Sequence, residues 1–366
     1  MKKVFVISNM YPSNEHPSFG IFVKNQVEAL KNENMDVIVA ANQDPRTGKK
    51  NTLLKYGKWA KEVLGKALKY KKDISVTHAH YVFPSGVFSL MMKKLFNIPY
   101  VVTAHGGDIE RMAKKSAIIR NWTENILRES SHVIAVGPVL AEQIEKEYGI
   151  PREKILVCSM GVNRKQFKPG NKESARKQLQ LDEDAFIYLF VGNVIRQKGV
   201  EELLIAFQQV KKASDRKIKL VIIGSQRDTN FVNSLKPLVD EDVLMVGPMK
   251  QQELATWYQA SDVFVLPSHL EGFGLVALEA VATGIPVIAS DVGGLTYLLG
   301  DGAGRLVEPE NPNALADEML KALTTPKEQY VNQEACERIL HIHDADEITK
   351  RVIRLYESAV NGGSGL

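Results

Sequence analysis

Cysteine is scarce in this chain, which contains only Cys158 and Cys336 among its 366 residues. The two lie far apart and belong to no Cys-x-x-Cys or Cys/His ligand spacing, so we expect neither a disulfide framework nor a zinc site. A reducing cytosol fits this composition. Long apolar runs are absent too, because no stretch approaches the roughly 18 apolar residues of a membrane-spanning helix. The short apolar run after the two N-terminal lysines favours a strand over a signal peptide.

Acidic and basic side chains are unevenly distributed, although the formal net charge is only +4. Residues 1–160 hold 24 basic against 15 acidic side chains, whereas residues 161–366 hold 23 against 28. The basic character therefore belongs to the first half. With 25% charged and 44% hydrophobic residues, the composition is typical of a folded globular protein, and the length suits two domains.

Short β-branched runs alternate with longer helical patterns along the whole chain. This alternation predicts βα units around parallel sheets, and it restarts after a turn-rich stretch near residue 165. We therefore predict two doubly wound α/β domains, over residues 1–164 and 165–344. An amphipathic helix over 345–360 is expected to pack back on the first domain. The glycine-rich end, residues 361–366, carries no fold prediction.

Two strand-to-helix loops of the second domain carry candidate binding chemistry, because ligands of such sheets bind beyond the carboxyl ends of the strands. In the first loop, the Gly-Phe-Gly turn of residues 272–274 opens a helix whose free amides suit a phosphate. In the second, Arg196 and Lys198 could bind further phosphate oxygens. Together the loops predict a diphosphate clamp.

Two glutamates accompany this turn, Glu271 at its start and Glu279 one to two helical turns later. A lone helical glutamate is ordinarily solvated, but the apolar residues on both sides of Glu279 leave almost no polar face. A buried carboxylate must have partners. We therefore interpret Glu279 as an acceptor of hydrogen bonds from a ribose diol, and Glu271 as facing a second polyhydroxyl group.

The stretch EGFGLVALE resembles the E-x7-E motif of retaining glycosyltransferases with the GT-B fold, in particular glycosyltransferase family 4 of the bacterial surface-polysaccharide type. Four further stretches resemble that family's loops, in the expected order: PSFGIFVKNQVEAL, TAHGGD, VGNVIRQKG and ATGIPVIASDVGGL. The resemblance covers nearly the whole chain. It implies two Rossmann-like domains facing each other across a cleft, the first binding the acceptor and the second the nucleotide-sugar.

The resemblance also implies roles for individual residues. His105 and Glu271 would be the catalytic residues and would lie beside the donor sugar. Asp108 would lie on the acceptor side. Glu279 would bind the ribose and Lys198 the diphosphate, while the amides of the glycine turn would hold the distal phosphate or the sugar. The residues assigned to donor binding are Gly20, Arg196, Lys198, Gly272, Phe273, Gly274 and Glu279.

Two departures from the family pattern affect these assignments. The arginine that commonly follows the first glycine of the donor-phosphate loop is Asn193 here, and Arg196 comes three residues later. Whether Arg196 replaces it is left open. In the first glycine loop the usual glycine pair is Phe19-Gly20, so only Gly20 carries the expected role.

Two further histidines, His78 and His80, end another strand. A metal site is conceivable for such a pair, but no third ligand at metal-binding spacing accompanies them. We therefore interpret them as structural or as lining the site.

Residues 51–72 combine many lysines with an apolar stripe and a tryptophan. Such a helix can lie on an anionic membrane surface, which would favour a lipid-linked acceptor and a cytoplasmic protein peripheral to the inner face of the membrane. The alternative is an ordinary core-packing helix with solvated lysines. Nucleic acid is not an expected partner, since no aromatic-interleaved binding motif is present. In the helix predicted over residues 51–72, the residues that we place near one apolar face are Leu53, Tyr56, Trp59, Val63, Leu64 and Leu68.

The family resemblance implies a retaining, metal-independent enzyme without a cofactor. It would transfer a hexosyl or related sugar from a nucleotide-sugar, with UDP favoured, to a glycan or lipid-linked acceptor in cell-surface polysaccharide synthesis. Two alternatives stay open: a nucleotide-sugar epimerase of the same fold, and a non-catalytic partner subunit, which would explain Asn193. A Rossmann dehydrogenase is disfavoured because residues 221–226 lack G-x-G-x-x-G.

Overall fold

The computed structural model describes residues 3–46 and 48–362, and these form two compact units. Unit 1 runs to Gly161 and resumes at Ala345, whereas unit 2 is the continuous segment Val162–Asp344. The glycine-rich end from residue 363 onward lies outside the described residues.

Twelve strands lie within the described ranges, six in each unit. The strands of unit 1 are β1 (Lys3–Ser8), β2 (Asp36–Ala41), β3 (Ile74–His80), β4 (Tyr100–Ala104), β5 (His132–Ala135) and β6 (Ile155–Val157). The strands of unit 2 are β7 (Phe186–Val191), β8 (Ile218–Ile223), β9 (Val243–Val246), β10 (Val263–Leu266), β11 (Val287–Ser290) and β12 (Arg305–Val307).

Fifteen α-helices occupy the same described ranges; they alternate with the strands as far as β12, and the last four follow β12 without a strand between them. The first group is α1 (Ile21–Asn32), α2 (Lys49–Tyr70), α3 (Ser85–Phe96), α4 (Ala117–Glu129) and α5 (Pro138–Tyr148). The helices of unit 2 are α6 (Lys172–Leu179), α7 (Val200–Ala213), α8 (Thr229–Leu235), α9 (Gln251–Ala260), α10 (Leu275–Thr283), α11 (Gly293–Leu299), α12 (Pro312–Thr324), α13 (Lys327–Tyr330) and α14 (Gln333–Ile342). The last helix is α15 (Ala345–Asn361), which belongs to unit 1.

Each unit is built on a fully parallel six-stranded sheet, which confirms the predicted doubly wound α/β class. The strand order is β2-β1-β3-β4-β5-β6 in unit 1 and β12-β11-β10-β7-β8-β9 in unit 2. All pairs in both sheets are parallel. Parallel strands are covered by helices on both faces and therefore read as near-continuous apolar runs. Strand β7, buried at every position, follows this rule.

The core of unit 1 has two layers, one on each face of the sheet. Val4 and Val6 of β1 point to the layer that α1 and α15 cover, where Tyr356 is fully buried. Phe5 and Ile7, on the opposite face of the same strand, point to the layer that α2 and α3 cover. The alternation follows from the two-residue period of a strand. The last helix therefore completes the core of the first sheet.

Helix α2 carries two apolar stripes, not the single one that its periodicity predicts. One stripe, which includes Trp59 and Val63, is buried against the sheet. The other is exposed, with Leu53 at 78% and Leu68 at 60% of their full accessible surface. The sequence-based assignment of all these residues to one face is therefore wrong.

Among the described residues, no helix has the length and apolar character needed to cross a membrane.

Candidate functional site

The strand order of unit 2 reverses between β10 and β7, which are hydrogen-bonded neighbours. In open α/β sheets, ligands bind outside the carboxyl ends of the strands at such a switch point. The chain leaves β7 into residues 192–199 and leaves β10 into residues 267–274. These are the two loops that the sequence predicts as a phosphate clamp, so the topology brings them side by side.

Close backbone contacts fix these two loops against each other. Gly199, which precedes α7, has a φ of +65°, and a Cβ there would lie 1.9 Å from the carbonyl oxygen of Pro267. Only glycine fits this position. The amide of His269 donates a hydrogen bond to the carbonyl oxygen of Gln197 over 3.0 Å. These two contacts therefore hold the loop of residues 192–199 against the loop of residues 267–274.

Lys198 and Glu271 form an ion pair across the two loops, between Nζ and Oε2. The hydroxyl of Ser268 also donates to this Glu271 oxygen, over 3.3 Å. Both side chains of the pair are partly exposed, with 24% and 17% of their surface accessible. A cation in such a position can exchange its carboxylate partner for a phosphate oxygen, and the freed carboxylate can accept hydroxyl groups.

The Gly-Phe-Gly turn offers its backbone to this site, because its one side chain points inward. Phe273 is buried, with its ring 4.9 Å from the ring of His343. Gly274 has a φ of +90° and precedes α10, whose first amides have no acceptor within the helix. Beneath the turn, a Cβ on Gly294 would lie 2.4 Å from the Phe273 Cα. Sequence patterns assign no role to Gly293 and Gly294, which let the backbone of α11 support the turn.

Glu279 lies on α10 and is only 6% exposed, so the prediction that it is buried is confirmed. Gln251 donates a hydrogen bond from Nε2 to Oε1, and the Tyr258 hydroxyl donates to Oε2 over 3.1 Å. Burial raises the pKa of Glu279 to about 7, although both hydrogen bonds act in the opposite direction. Sequence reasoning missed both partners. Their seven-residue spacing, which places them on one face of α9, is the signal that could have found them.

Arg196 has a different environment from Lys198. Its side chain is 69% exposed, and its Nη1 donates to Glu201 Oε2 over 3.0 Å. Its guanidinium also lies 5.3 Å from the ring of Phe231. In this structure Arg196 is therefore engaged with neighbouring side chains and not with the Lys198–Glu271 pair.

In unit 1, Asp108 ties together the loops that follow β3 and β4. It is 2% exposed, its Oδ1 accepts from the amide of His105 over 3.0 Å, and its Oδ2 accepts from the amide of Val82 over 2.7 Å. Burial raises the pKa of Asp108 to about 6, while these backbone donors act in the opposite direction. Asp108 is therefore placed to hold the two loops in position.

His105 packs between two aromatic rings at the carboxyl end of β4. Its ring centroid lies 5.0 Å from that of Phe22 and 4.5 Å from that of Tyr81. Burial lowers the pKa of His105 to about 3, so the imidazole is neutral at physiological pH. Gly20, with a φ of +70°, directly precedes α1 and lies two residues before Phe22, and a Cβ there would lie 2.6 Å from the Met10 backbone. The structure thus brings Gly20, His105 and Asp108 to one edge of the unit 1 sheet.

The other strand-end histidines are deep in unit 1. His78 is fully buried, with Nδ1 at 2.6 Å from the Tyr356 hydroxyl and Nε2 at 2.7 Å from the Thr103 hydroxyl. These contacts agree with its interpretation as a structural residue. Across residues 3–46 and 48–362, no group of three or more histidine, cysteine, aspartate or glutamate side chains is arranged to hold a metal ion.

Comparisons with protein families cover both units. Residues 19–166 match the model described as Glycosyltransferase Family 4, and residues 171–338 match the model described as Glycosyl transferases group 1. The chain is 31% identical over 311 residues to D-inositol 3-phosphate glycosyltransferase 1 of Catenulispora acidiphila, covering 80% of this chain and 74% of that protein. It is 27% identical over 351 residues to a Bacillus subtilis protein named as the teichuronic acid biosynthesis glycosyltransferase TuaC, covering 86% and 87%.

Solved structures share the architecture at low sequence identity. A sucrose-phosphate synthase from Thermosynechococcus elongatus superposes with a TM-score of 0.80 at 23% identity, over 99% of this chain and 100% of that one. Anabaena HepE in complex with UDP and glucose superposes with a TM-score of 0.78 at 18% identity, over 98% and 100%. These matches show the GT-B fold. The family models and the curated relatives go further, and the chain belongs to glycosyltransferase family 4.

Proposed function

We propose that this glycosyltransferase is a retaining, metal-independent enzyme of cell-surface polysaccharide synthesis. It transfers a hexose or related sugar from a nucleotide-sugar, with UDP as the first candidate base, to a glycan or lipid-linked acceptor. The name of TuaC supports the pathway class, and the UDP and glucose bound to HepE support the donor class. The observation that carries the proposal is the Lys198–Glu271 pair beside the Gly-Phe-Gly turn.

Unit 2 would bind the donor. Lys198 would leave Glu271 for the diphosphate, the amides of residues 272–274 would bind the distal phosphate or the sugar, and Arg196 would leave Glu201 to add a second cation. Each oxygen of Glu279 accepts one hydrogen bond from the protein and can accept another, which leaves capacity for both hydroxyls of a ribose.

Unit 1 would bind the acceptor. Its residues Gly20 and His105 would contact the donor, and Asp108 would hold the His105 loop. In the reaction, the bond between the anomeric carbon and the diphosphate oxygen breaks, and the acceptor oxygen bonds to that carbon on the same face. The acceptor proton passes to the departing diphosphate. Lys198 and the turn amides stabilise the charge of the leaving group, and Glu271 orients the sugar by its hydroxyls.

A thermal-shift screen against UDP, GDP, ADP and their sugar conjugates tests the donor site. A ligand that binds only the native state raises the unfolding midpoint by mass action. We expect one nucleotide to respond in the wild type and in the control Lys321→Ala, whose lysine is exposed on unit 2. The response should be lost in Lys198→Ala and Glu279→Ala. A wild type that responds to no nucleotide would favour a non-catalytic partner subunit.

Product analysis tests the chemistry once the donor is known. With donor and glycan acceptor present, NMR of the new linkage should show the same anomeric configuration as in the donor. An inverted anomer would refute the retaining mechanism. Conversion of the donor sugar into its epimer without acceptor would favour the epimerase. Activity that persists in a chelator supports metal independence, and loss restored by a divalent ion would overturn it.

The exposed stripe of α2 supports the membrane part of the proposal, because four exposed leucines lie beside its lysines. Apolar side chains flanked by cations suit an anionic bilayer surface, where each basic residue contributes about 1 kcal/mol. We expect sedimentation with phosphatidylglycerol vesicles but not with phosphatidylcholine vesicles, and its loss in Leu54→Ser/Leu68→Ser. Leu244→Ser, at an exposed leucine of unit 2, is the control. Equal sedimentation of the double variant would refute this surface.

A further inference from the structure

His80, the last residue of β3, is buried in unit 1 and contacts His105, the histidine predicted to be catalytic. It is fully buried, and its Nδ1 lies 3.3 Å from Nε2 of His105. Its Nε2 is also buried and has no hydrogen-bond partner in the described part of the chain. The sequence predicts no role for His80 beyond lining or structure, and this contact gives it a specific one.

Two neutral imidazoles that share one hydrogen bond can arrange their protons in only two ways. Burial lowers the pKa of both rings well below 6.5, so neither carries a charge at neutral pH. If His105 Nε2–H donates, the proton of His80 sits on its Nε2 and becomes an orphaned buried donor. If His80 Nδ1–H donates instead, the orphaned Nε2 atom is an unused acceptor.

The second arrangement is the cheaper of the two. Among buried backbone groups, an N–H without an acceptor is rarer than a carbonyl with unused capacity. The same ordering, applied to the imidazole, favours a bare Nε2 over an unpartnered Nε2–H. The rings around the pair are placed to keep it in register, since the His78 ring lies 4.3 Å from the His80 ring on one side. On the other side, Phe22 and Tyr81 pack against His105 and limit its rotation.

We infer that His80 is a positioning residue, which donates Nδ1–H to His105 Nε2 and so keeps the proton of His105 on Nδ1. No hydrogen bond within residues 3–46 and 48–362 engages that Nδ1, and His105 is partly exposed. His105 therefore presents an N–H donor toward ligand. It can donate a hydrogen bond to an oxygen of a sugar or phosphate, and it cannot accept the acceptor's proton at Nδ1 in this tautomer.

The tautomer follows from the contact between the two rings and their burial, whereas its use in sugar transfer rests on the proposed function. We would measure it first without substrate, by long-range proton–nitrogen correlation NMR of protein labelled with 15N-histidine, with His105→Gln identifying the signals of that ring. Nδ1 of His105 should be protonated and Nε2 bare. A protonated Nε2, or a doubly protonated ring at neutral pH, overturns the inference whether or not the protein transfers sugar.

Variants at residue 80 separate the orienting role from packing. The amide nitrogen of asparagine occupies the position of histidine Nδ1, so His80→Asn keeps a donor there, while His80→Leu removes it. The Asn variant should keep the His105 tautomer and most of the activity. The Leu variant should lose the tautomer and lower kcat by about ten- to a hundred-fold, the value of one hydrogen bond to a charged group, with little change in KM for the donor. Equal kcat in the two variants at equal stability would refute an orienting role.

The two failures remain distinguishable. If the NMR signals show the expected tautomer and no sugar transfer is found with any donor, only the proposed function fails. If sugar is transferred and the tautomer is the opposite one, only the inference fails. Should His80→Leu not fold, the wild-type spectrum and the His80→Asn variant still decide the assignment.

Discussion

The Tyr258 hydroxyl donates to Glu279 Oε2 over 3.1 Å, and the same hydroxyl lies 3.1 Å from the carbonyl oxygen of Val276. One proton is therefore shared between a carboxylate and the backbone of the helix that carries it. Glu279 is buried, yet its neighbours supply two donors and no cation in direct contact among the described residues. A buried carboxylate of this kind costs stability unless a ligand completes its hydrogen bonds, which is typical of a binding site.

Glu279→Gln should therefore stabilise the unliganded protein above neutral pH. The pKa of this carboxyl is about 7 in the folded state and near 4.5 when unfolded, so the folded state binds more protons between these values. The contribution of the protonated Glu279 carboxyl to the free energy of unfolding of the wild type is fully present below pH 4.5, and it is lost as pH rises through 7. The variant has no such loss, so its advantage in unfolding free energy should grow from pH 5 to pH 8, reaching about 3 kcal/mol at most.

Urea unfolding at pH 5, 6, 7 and 8 measures this difference. Glu241→Gln, at an exposed position of unit 2, should differ from the wild type by the same small amount at every pH. A difference between Glu279→Gln and the wild type that does not change with pH would show that the carboxyl titrates outside this range.

Gly199→Ala should destabilise unit 2 by more than about 2 kcal/mol, because alanine is strained at a φ of +65° and its Cβ would meet the Pro267 carbonyl oxygen. Gly247→Ala is a matched control in the same unit. A Cβ there has open space around it, so its effect should stay within about 1 kcal/mol. Chemical unfolding compares the two variants. Similar stabilities would mean that the contact between the two loops is not rigid.

Sequence patterns predicted the fold because buried parallel strands are continuous apolar runs and their carboxyl ends carry the polar loops. The same patterns could not assign the apolar residues of α2. A 3.6-residue period shows that Trp59 and Leu68 are both apolar positions, but not which of them meets the sheet. That depends on how far the helix is rotated about its axis, and it is fixed by packing against residues distant in sequence, such as Ala40 and Met92.

The partners of the site residues were beyond prediction for the same reason. The HGGD stretch places Asp108 near His105, but its bond to the Val82 amide depends on β3 lying beside β4. Gln251 reaches Glu279 across 28 positions of chain, because α9 packs on α10. Periodicity and turn chemistry are local signals and carry no information on such contacts.

The two stripes of α2 should respond differently to truncation. Trp59→Ala should cost about 3–5 kcal/mol, because it empties a buried site and removes the hydrogen bond from Nε1 to the Ala40 carbonyl oxygen, which spans 3.2 Å. Leu68→Ala should stay within about 0.5 kcal/mol, because its side chain is exposed. Urea unfolding of both variants provides the comparison. A large cost at Leu68 would mean that this stripe is covered by protein and is not free for a membrane.

Tyr356→Phe should cost about 1–3 kcal/mol, because it leaves the buried His78 Nδ1 without a partner while preserving the ring. Tyr148→Phe makes the same change in the same unit at a hydroxyl with no bond to protein among the contacts described, and it should stay within about 0.5 kcal/mol. Thermal and urea unfolding measure both. Equal effects would show that His78 re-pairs when the hydroxyl is lost.

Binding experiments with Arg196 variants test whether Arg196 replaces the family's arginine, which is Asn193 in this chain. If its guanidinium leaves Glu201 for the diphosphate, Arg196→Ala should weaken binding of the nucleoside diphosphate by about ten-fold, the value of one charge-assisted hydrogen bond. Binding of the nucleoside without phosphates should not change, which titration calorimetry can show for both ligands.

Glu201→Gln should bind at least as tightly as the wild type, because it releases the guanidinium. Adding Asn193→Arg to Arg196→Ala should restore the lost affinity. Unchanged affinity in Arg196→Ala would instead assign the diphosphate to Lys198 and the turn amides, and Arg196 to an ion pair on the surface of α7.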